Sequence, residues 1–197
     1  IAATGTNNVD MEFAASKGII VKNAINYSTH SVAQVTFGMI LHLLHRTSYY
    51  DHYVKSGGFS DNSVFCHIAH DFTELAGKKF GIIGLGNIGK RVAEIASAFG
   101  AEVVYYSSSG NNDNPHYKRL SLDELLMECD IISIHAPLND NTRNLIGEIE
   151  LHKMKPNAIL VNAGRGGIVD EAALASALNE ERIYGACLDV FEKEPIA

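Results

Sequence analysis

The stretch Lys79-Phe80-Gly81-Ile82-Ile83-Gly84-Leu85-Gly86-Asn87-Ile88-Gly89 decides the fold. Lys79 to Gly84 is an apolar run of strand length, and Asn87 to Phe99 has the spacing of an amphipathic helix. Glu102 to Tyr106 is apolar and β-branched enough for a second strand. A lone Gly-x-Gly-x-x-Gly is weak, because glycine turns are common. Strand, glycine turn, helix and strand arriving in register make it specific for a dinucleotide. Each glycine has a physical reason. Gly84 permits the tight turn, Gly86 lets the backbone approach a pyrophosphate, and Gly89 lets helix and strand pack closely. The helix amino end then offers free N–H groups and a positive dipole to the phosphates. Without a ligand such a turn would only weaken the domain, by roughly 1 kcal/mol per glycine.

The same alternation runs outward from this centre. Ser121-Leu122-Asp123-Glu124 is a capping box opening a helix to about Glu128. Ile131–His135, Ala158–Asn162 and Ala186–Asp189 read as strands, and Asp170 caps a helix running to about Arg182. Near-continuous apolar strands separated by helices mean a parallel sheet covered on both faces. This predicts a doubly wound α/β fold, with the ligand crevice at the carboxyl ends of the strands. Before it, residues 17–25 read as a short strand, and Ser31 opens a helix from Val32 to Arg46 that is apolar nearly all round. Residues 47–76 read as irregular.

The fingerprint ordinarily ends about 20 residues on in an acid that bonds the adenosine ribose and excludes a 2′-phosphate. The matching place is Ser107, followed by Ser108 and Ser109, with no arginine beside it in the sequence. Ser107 is expected to meet the ribose, and the choice between NAD and NADP stays open.

Asn162-Ala163-Gly164-Arg165-Gly166-Gly167 ends a strand on the same sheet edge. An arginine flanked by glycines has room to present its planar fork to a carboxylate. Asp189 and Glu194 follow the last strand, where carboxylates face the crevice and can hold a histidine protonated. Solvated surface is the plain alternative for either acid, and a surface ion pair for the arginine.

Composition sets the outer limits. The chain has 197 residues, 46% of them hydrophobic, and a formal net charge of −7, which argues against a nucleic-acid partner. No apolar run approaches the roughly 20 residues of a membrane helix. Cys66, Cys129 and Cys187 form no CxxC pair, as expected in a reducing, cytoplasmic setting. Nine histidines are present, with His42/His45 and His67/His70 three apart, but no acid or cysteine completes a ligand set, so no metal is expected.

Together the Gly84–Gly89 fingerprint, Asp130 through Leu138, and Met154-Lys155-Pro156 through Asp170 resemble the D-isomer-specific 2-hydroxyacid dehydrogenases. Gly185 through Phe191 and Glu194-Pro195 extend the match, and Thr4 through Asp10 looks like that family's interdomain loop. Tyr105-Tyr106-Ser107 and Lys55 through Ser60 are most similar to glycerate dehydrogenases, also called hydroxypyruvate reductases. The resemblance implies hydride transfer between a nicotinamide and the 2-carbon of a 2-oxo or 2-hydroxy acid. It implies that Arg165 holds the substrate carboxylate and Glu194 orients the catalytic histidine. Asp189 would meet the nicotinamide, with Thr4 near the nicotinamide–substrate junction. Asn87, Ile88, Ala136, Pro137, Ala163 and Gly164 would line the cofactor. The family's histidine lies beyond the Glu-Pro, so the chain is expected to be part of a longer enzyme. Residues 1–26 are then a remnant of the substrate domain and connecting loop, and 27–197 the Rossmann-type domain. An NADH-sensing corepressor-like module is the alternative from another class. An enzyme with a tightly bound, non-redox NAD is a third. Residues 31–72, with Tyr49, Tyr50, Tyr53, Phe59 and Phe65, are expected to join two copies in a homodimer.

Overall fold

The structure, a computed structural model, describes Ile1, Gly5 and residues 9–196. Helix α1 (Met11–Ser16) is capped by Asp10, whose side chain accepts from the Phe13 amide. Two further helices, α2 (Thr29–His45) and α3 (Thr47–Lys55), precede the sheet. The alternating region follows as β1 (Lys79–Ile83), α4 (Asn87–Ala98), β2 (Glu102–Tyr106), β3 (Lys118–Arg119), α5 (Leu122–Glu128) and β4 (Ile131–Ile134). It ends with α6 (Glu148–Lys153), β5 (Ile159–Asn162), α7 (Glu171–Asn179) and β6 (Gly185–Leu188).

The six strands form one sheet in the order β3-β2-β1-β4-β5-β6, and every pairing is parallel. That is the expected doubly wound fold, and its order reverses between β1 and β4. Side chains alternate between the two faces. Ile83, Val104, Ile132, Ile134 and Leu160 pack with α5, α6 and α7 on one face. Phe80, Ile82, Tyr105, Ile131 and Val161 pack with α2 and α4 on the other. The capping box of α5 is present in full, with Ser121 and Glu124 each accepting from the other's backbone amide.

Several local expectations are corrected. Residues 17–25 form no strand; they run as irregular chain with Ile19, Ile20 and Ile25 exposed and pair with no strand of the sheet. The long helix starts at Thr29, earlier than Ser31, whose hydroxyl donates to the Ser28 carbonyl. That helix is not buried all round: Ala33, Thr36, Phe37, Ile40 and Leu44 turn inward, while Val35 is exposed. Residues 47–76 contain α3, whose tyrosines stack with His67 and hold the following segment against it. The short elements α1, β3 and α6 have too few residues for a periodic signal.

Candidate functional site

The carboxyl edge of the sheet opens into a cleft of about 730 Å³, within the range of small-molecule sites. Gly86, Asn87 and Ile88 form its floor at the start of α4, and Ala136, Pro137 and Leu138 follow β4. Ala163, Gly164 and Arg165 follow β5, and Asp189 and Val190 follow β6. The cleft is also lined by the irregular segment from Asn23 to Ser28 and by Thr29 and Val32 of α2. Thus nine residues singled out from the sequence line one space: Gly86, Asn87, Ile88, Ala136, Pro137, Ala163, Gly164, Arg165 and Asp189. Thr4 lies outside the described residues.

The three glycines of the turn differ in their surroundings. Gly84 has φ +95°, and a Cβ there would lie 2.7 Å from the Ala136 amide nitrogen. A Cβ on Gly89 would lie 2.3 Å from the Gly84 carbonyl oxygen, so helix and turn are in backbone contact. At Gly86 a Cβ meets nothing within 4 Å. This side of the turn faces open space, and no side chain caps α4 there. Uncapped first-turn amides beside an open cleft are what a diphosphate requires. The residues present therefore fit a dinucleotide.

Arg165 is half-buried, with Nη1 donating to the Gly164 carbonyl at 2.7 Å. Asn162 sets its loop: its side-chain oxygen accepts from the Gly164 amide and its Nδ2 donates to the Arg165 carbonyl. Gly166 meets the neighbouring loop so closely that a Cβ would fall 1.8 Å from the Phe191 carbonyl oxygen. The loops carrying Arg165 and Asp189 are thus fixed to each other by backbone contact. Glu194 accepts from the Phe191 amide at 3.0 Å and is exposed outside the cleft lining. Burial pushes the Asp189 carboxyl above its ordinary value, and the negative charge of Glu194 adds to that shift.

Ser107 is placed differently from its neighbours. It is 4% exposed, and its hydroxyl accepts from the Asn112 amide at 3.3 Å. Ser108 is half-buried and Ser109 exposed just past the end of β2. Sequence reasoning missed His135, which lines the cleft while Ser133 holds its Nε2 at 2.8 Å. The two-residue spacing of Ser133 in β4 and His135 just past its end was the available signal. It also missed Asn26, whose side-chain oxygen accepts from Asn87, because nothing local marks so distant a pairing. Among the described residues no group of three or more His, Cys, Asp or Glu could hold a metal, and no helix is long and apolar enough to cross a membrane.

A six-stranded parallel sheet with this glycine turn and this cleft defines a dinucleotide-binding domain of the Rossmann type. Residues 37–197 match the family described as D-isomer specific 2-hydroxyacid dehydrogenase, NAD binding domain, and the chain belongs to that family. It is 46% identical over 200 residues to a glyoxylate reductase of Aeropyrum pernix, covering 98% of this chain and 59% of that protein. A glycerate dehydrogenase of Methylorubrum extorquens is 38% identical, with 99% of this chain and 60% of that protein covered. Among solved structures, D-lactate dehydrogenase from Aquifex aeolicus complexed with NAD and lactic acid superposes with a TM-score of 0.85 at 36% identity. That match covers 98% of this chain and 57% of the other. The chain spans about 60% of the length of these relatives.

Proposed function

We propose that the protein transfers a hydride between a nicotinamide dinucleotide and the 2-carbon of a small D-2-hydroxy or 2-oxo acid. Glyoxylate and hydroxypyruvate/glycerate are the first substrates to test. One observation carries the reading: Arg165 and Asp189 share a single cleft with the free amino end of α4. The dinucleotide, NAD or NADP, supplies the hydride chemistry when bound. Gly86, Asn87 and Ile88 hold its diphosphate, Ala136 and Pro137 border its path, and Ala163, Gly164 and Asp189 meet the nicotinamide end. Thr4 is proposed beside that end. Ser107 braces the turn that receives the ribose.

Arg165 has donors to spare after its bond to Gly164, and its fork suits the substrate carboxylate and the adjacent oxygen. Glu194 is the acid proposed to orient a histidine and favour its charged form. Burial first, and then the negative charge of Glu194, hold the Asp189 carboxyl above its ordinary value, so a cation beside Asp189 is welcome. The histidine that the resemblance places after Glu194-Pro195 is not among these 197 residues. Residues 1–26 are read as connecting chain toward the substrate domain and 27–197 as the dinucleotide unit. The free thiols Cys66, Cys129 and Cys187 support a reducing, cytoplasmic location.

The test is an assay of full-length protein against a panel of 2-oxo acids with NADH and NADPH, alongside Arg165→Lys. The variant should lose at least tenfold in kcat/KM while dinucleotide affinity stays within twofold, because lysine cannot reproduce the fork. Equal losses in both would assign Arg165 a structural role. No turnover with any 2-oxo acid would overturn the proposed activity.

A further inference from the structure

Two sides of the cleft meet at Ala136. On one side is the glycine turn after β1, where a Cβ on Gly84 would lie 2.7 Å from the Ala136 nitrogen. On the other is the loop carrying Arg165, where a Cβ on Gly164 would lie 2.9 Å from the Ala136 carbonyl oxygen. The chain at Ala136 therefore touches both glycines, with no side chain between to absorb a change. A displacement of Ala136 shifts the turn that receives the dinucleotide against the loop that presents the arginine. Ala136 has only a methyl group by which to be held. Its anchor is the residue before it.

His135 continues the ladder one bond past β4, its amide donating to the Ile83 carbonyl at 2.8 Å. Its Nε2 lies 2.8 Å from the Ser133 hydroxyl, and Ser133 is fully buried. Among the described residues that hydroxyl has no other partner, so its proton goes to Nε2 and the ring proton stays on Nδ1. Nδ1 is buried with no hydrogen-bond partner. The fold thus carries an unpaired donor that an alanine and an apolar side chain in the same space would avoid. Packing alone does not account for the pair. With Nε2 engaged and Nδ1 sealed from water, the ring is a fixed strut and not the proton carrier of the reaction.

We propose that Ser133 and His135 are positioning residues for hydride transfer: they fix Ala136, and through it the distance between the bound dinucleotide and the acid on Arg165. This rests on the hydride-transfer reading of the cleft. Reaction needs the two carbons about 3–3.5 Å apart, and a misplacement of roughly 1 Å costs on the order of a hundredfold in rate. Affinity is far less sensitive, because the amino end of α4 and the fork of Arg165 each hold their own ligand whether or not the two are in register. The pair therefore acts on turnover and not on binding.

Full-length protein tests it, with glyoxylate and hydroxypyruvate as acids and with NADH and NADPH, each also prepared with deuterium at the transferred position. Ser133→Ala removes the tie and leaves the ring. It should lower kcat at least tenfold, with dinucleotide Kd and acid KM within threefold, and with a deuterium isotope effect on kcat at least as large as the parent's. His135→Leu should do the same, and His135→Gln, which can still reach Ser133, should retain more turnover than His135→Leu. If His135→Leu does not fold, Ser133→Ala decides alone. A smaller loss of kcat in Ser133→Ala, a loss without the isotope effect, or equal changes in Kd, KM and kcat overturns the positioning role and leaves the hydride-transfer reading standing. A parent that reduces no 2-oxo acid with either dinucleotide overturns both.

Discussion

Burial keeps His135 neutral. Its Nε2 is engaged by Ser133, and its Nδ1 is buried without a hydrogen-bond partner. The ring's pKa is lowered to about 4 by removal from water. The folded pKa therefore lies below that of the unfolded chain, near 6.5. Above about pH 6.5 the ring is neutral in both states and stability is complete. As pH falls toward 4 the unfolded chain takes up the proton first, and stability is lost by up to roughly 3 kcal/mol. Urea unfolding at pH 7.5, 5.5 and 4.5 should show that loss in the parent and a flatter response in His135→Gln. Parallel acid profiles would mean that His135 is not buried as described. A second residue test concerns Gly81, where a Cβ would lie 2.8 Å from Cys129 Sγ and 2.9 Å from Leu125. Gly81→Ala should overpack that face and cost about 1–3 kcal/mol in denaturant unfolding.

Between elements, the decisive junction is the one joining the turns after β5 and β6. Gly166 presses on the Phe191 carbonyl, and the same strip is tied again where Glu192 and Glu171 each accept from the other's amide. Gly166→Ala must separate the two turns, moving Arg165 relative to Asp189 while leaving the Gly84–Gly89 turn alone. We expect kcat/KM for the 2-oxo acid to fall more than tenfold in full-length protein, with cofactor Kd changed less than threefold; equal changes would show that the strain spreads through the cleft. Removing the α5 cap with Ser121→Ala should cost about 1 kcal/mol of stability without touching the cleft. The elements that were legible beforehand share a cause. Strands such as Ile131–Ile134 are near-continuous apolar runs, the helix behind Asn87 carries a periodic pattern, and Ser121 and Asp170 cap as their side-chain chemistry dictates. What escaped was set by partners distant in sequence. The 17–25 segment has strand-like composition but pairs with no strand, and the Arg119–Gly110 contact depends on where β3 pairs with β2. Arg165, Asp189 and the glycine turn could be read because each sits at a strand end, where the topology gathers them.

At the scale of the whole molecule, the segment beyond α3 exposes several large apolar side chains. Phe65 is 92% exposed, Ile68 84% and Phe72 71%, in a segment held to α3 by Tyr49, Tyr53 and His67. We propose that residues 31–72 seat a second copy, as a two-fold dimer. Sedimentation at low micromolar concentration should give a dimer, and Phe65→Ser with Ile68→Ser should shift it toward monomer; a monomeric parent with α3 intact would refute the arrangement. The strand order has its own outcome during synthesis. β1 sits at the centre of the sheet, flanked by β2 and by β4, whose last residue, Ile134, comes 51 positions after Ile83. At about 5–20 residues per second a ribosome needs roughly 3–10 seconds to cover that interval. For that time Phe80, Ile82 and Ile83 form a nascent hydrophobic strand with at least one open edge, so chaperone occupancy on translating chains should peak there and fall once β4 has emerged.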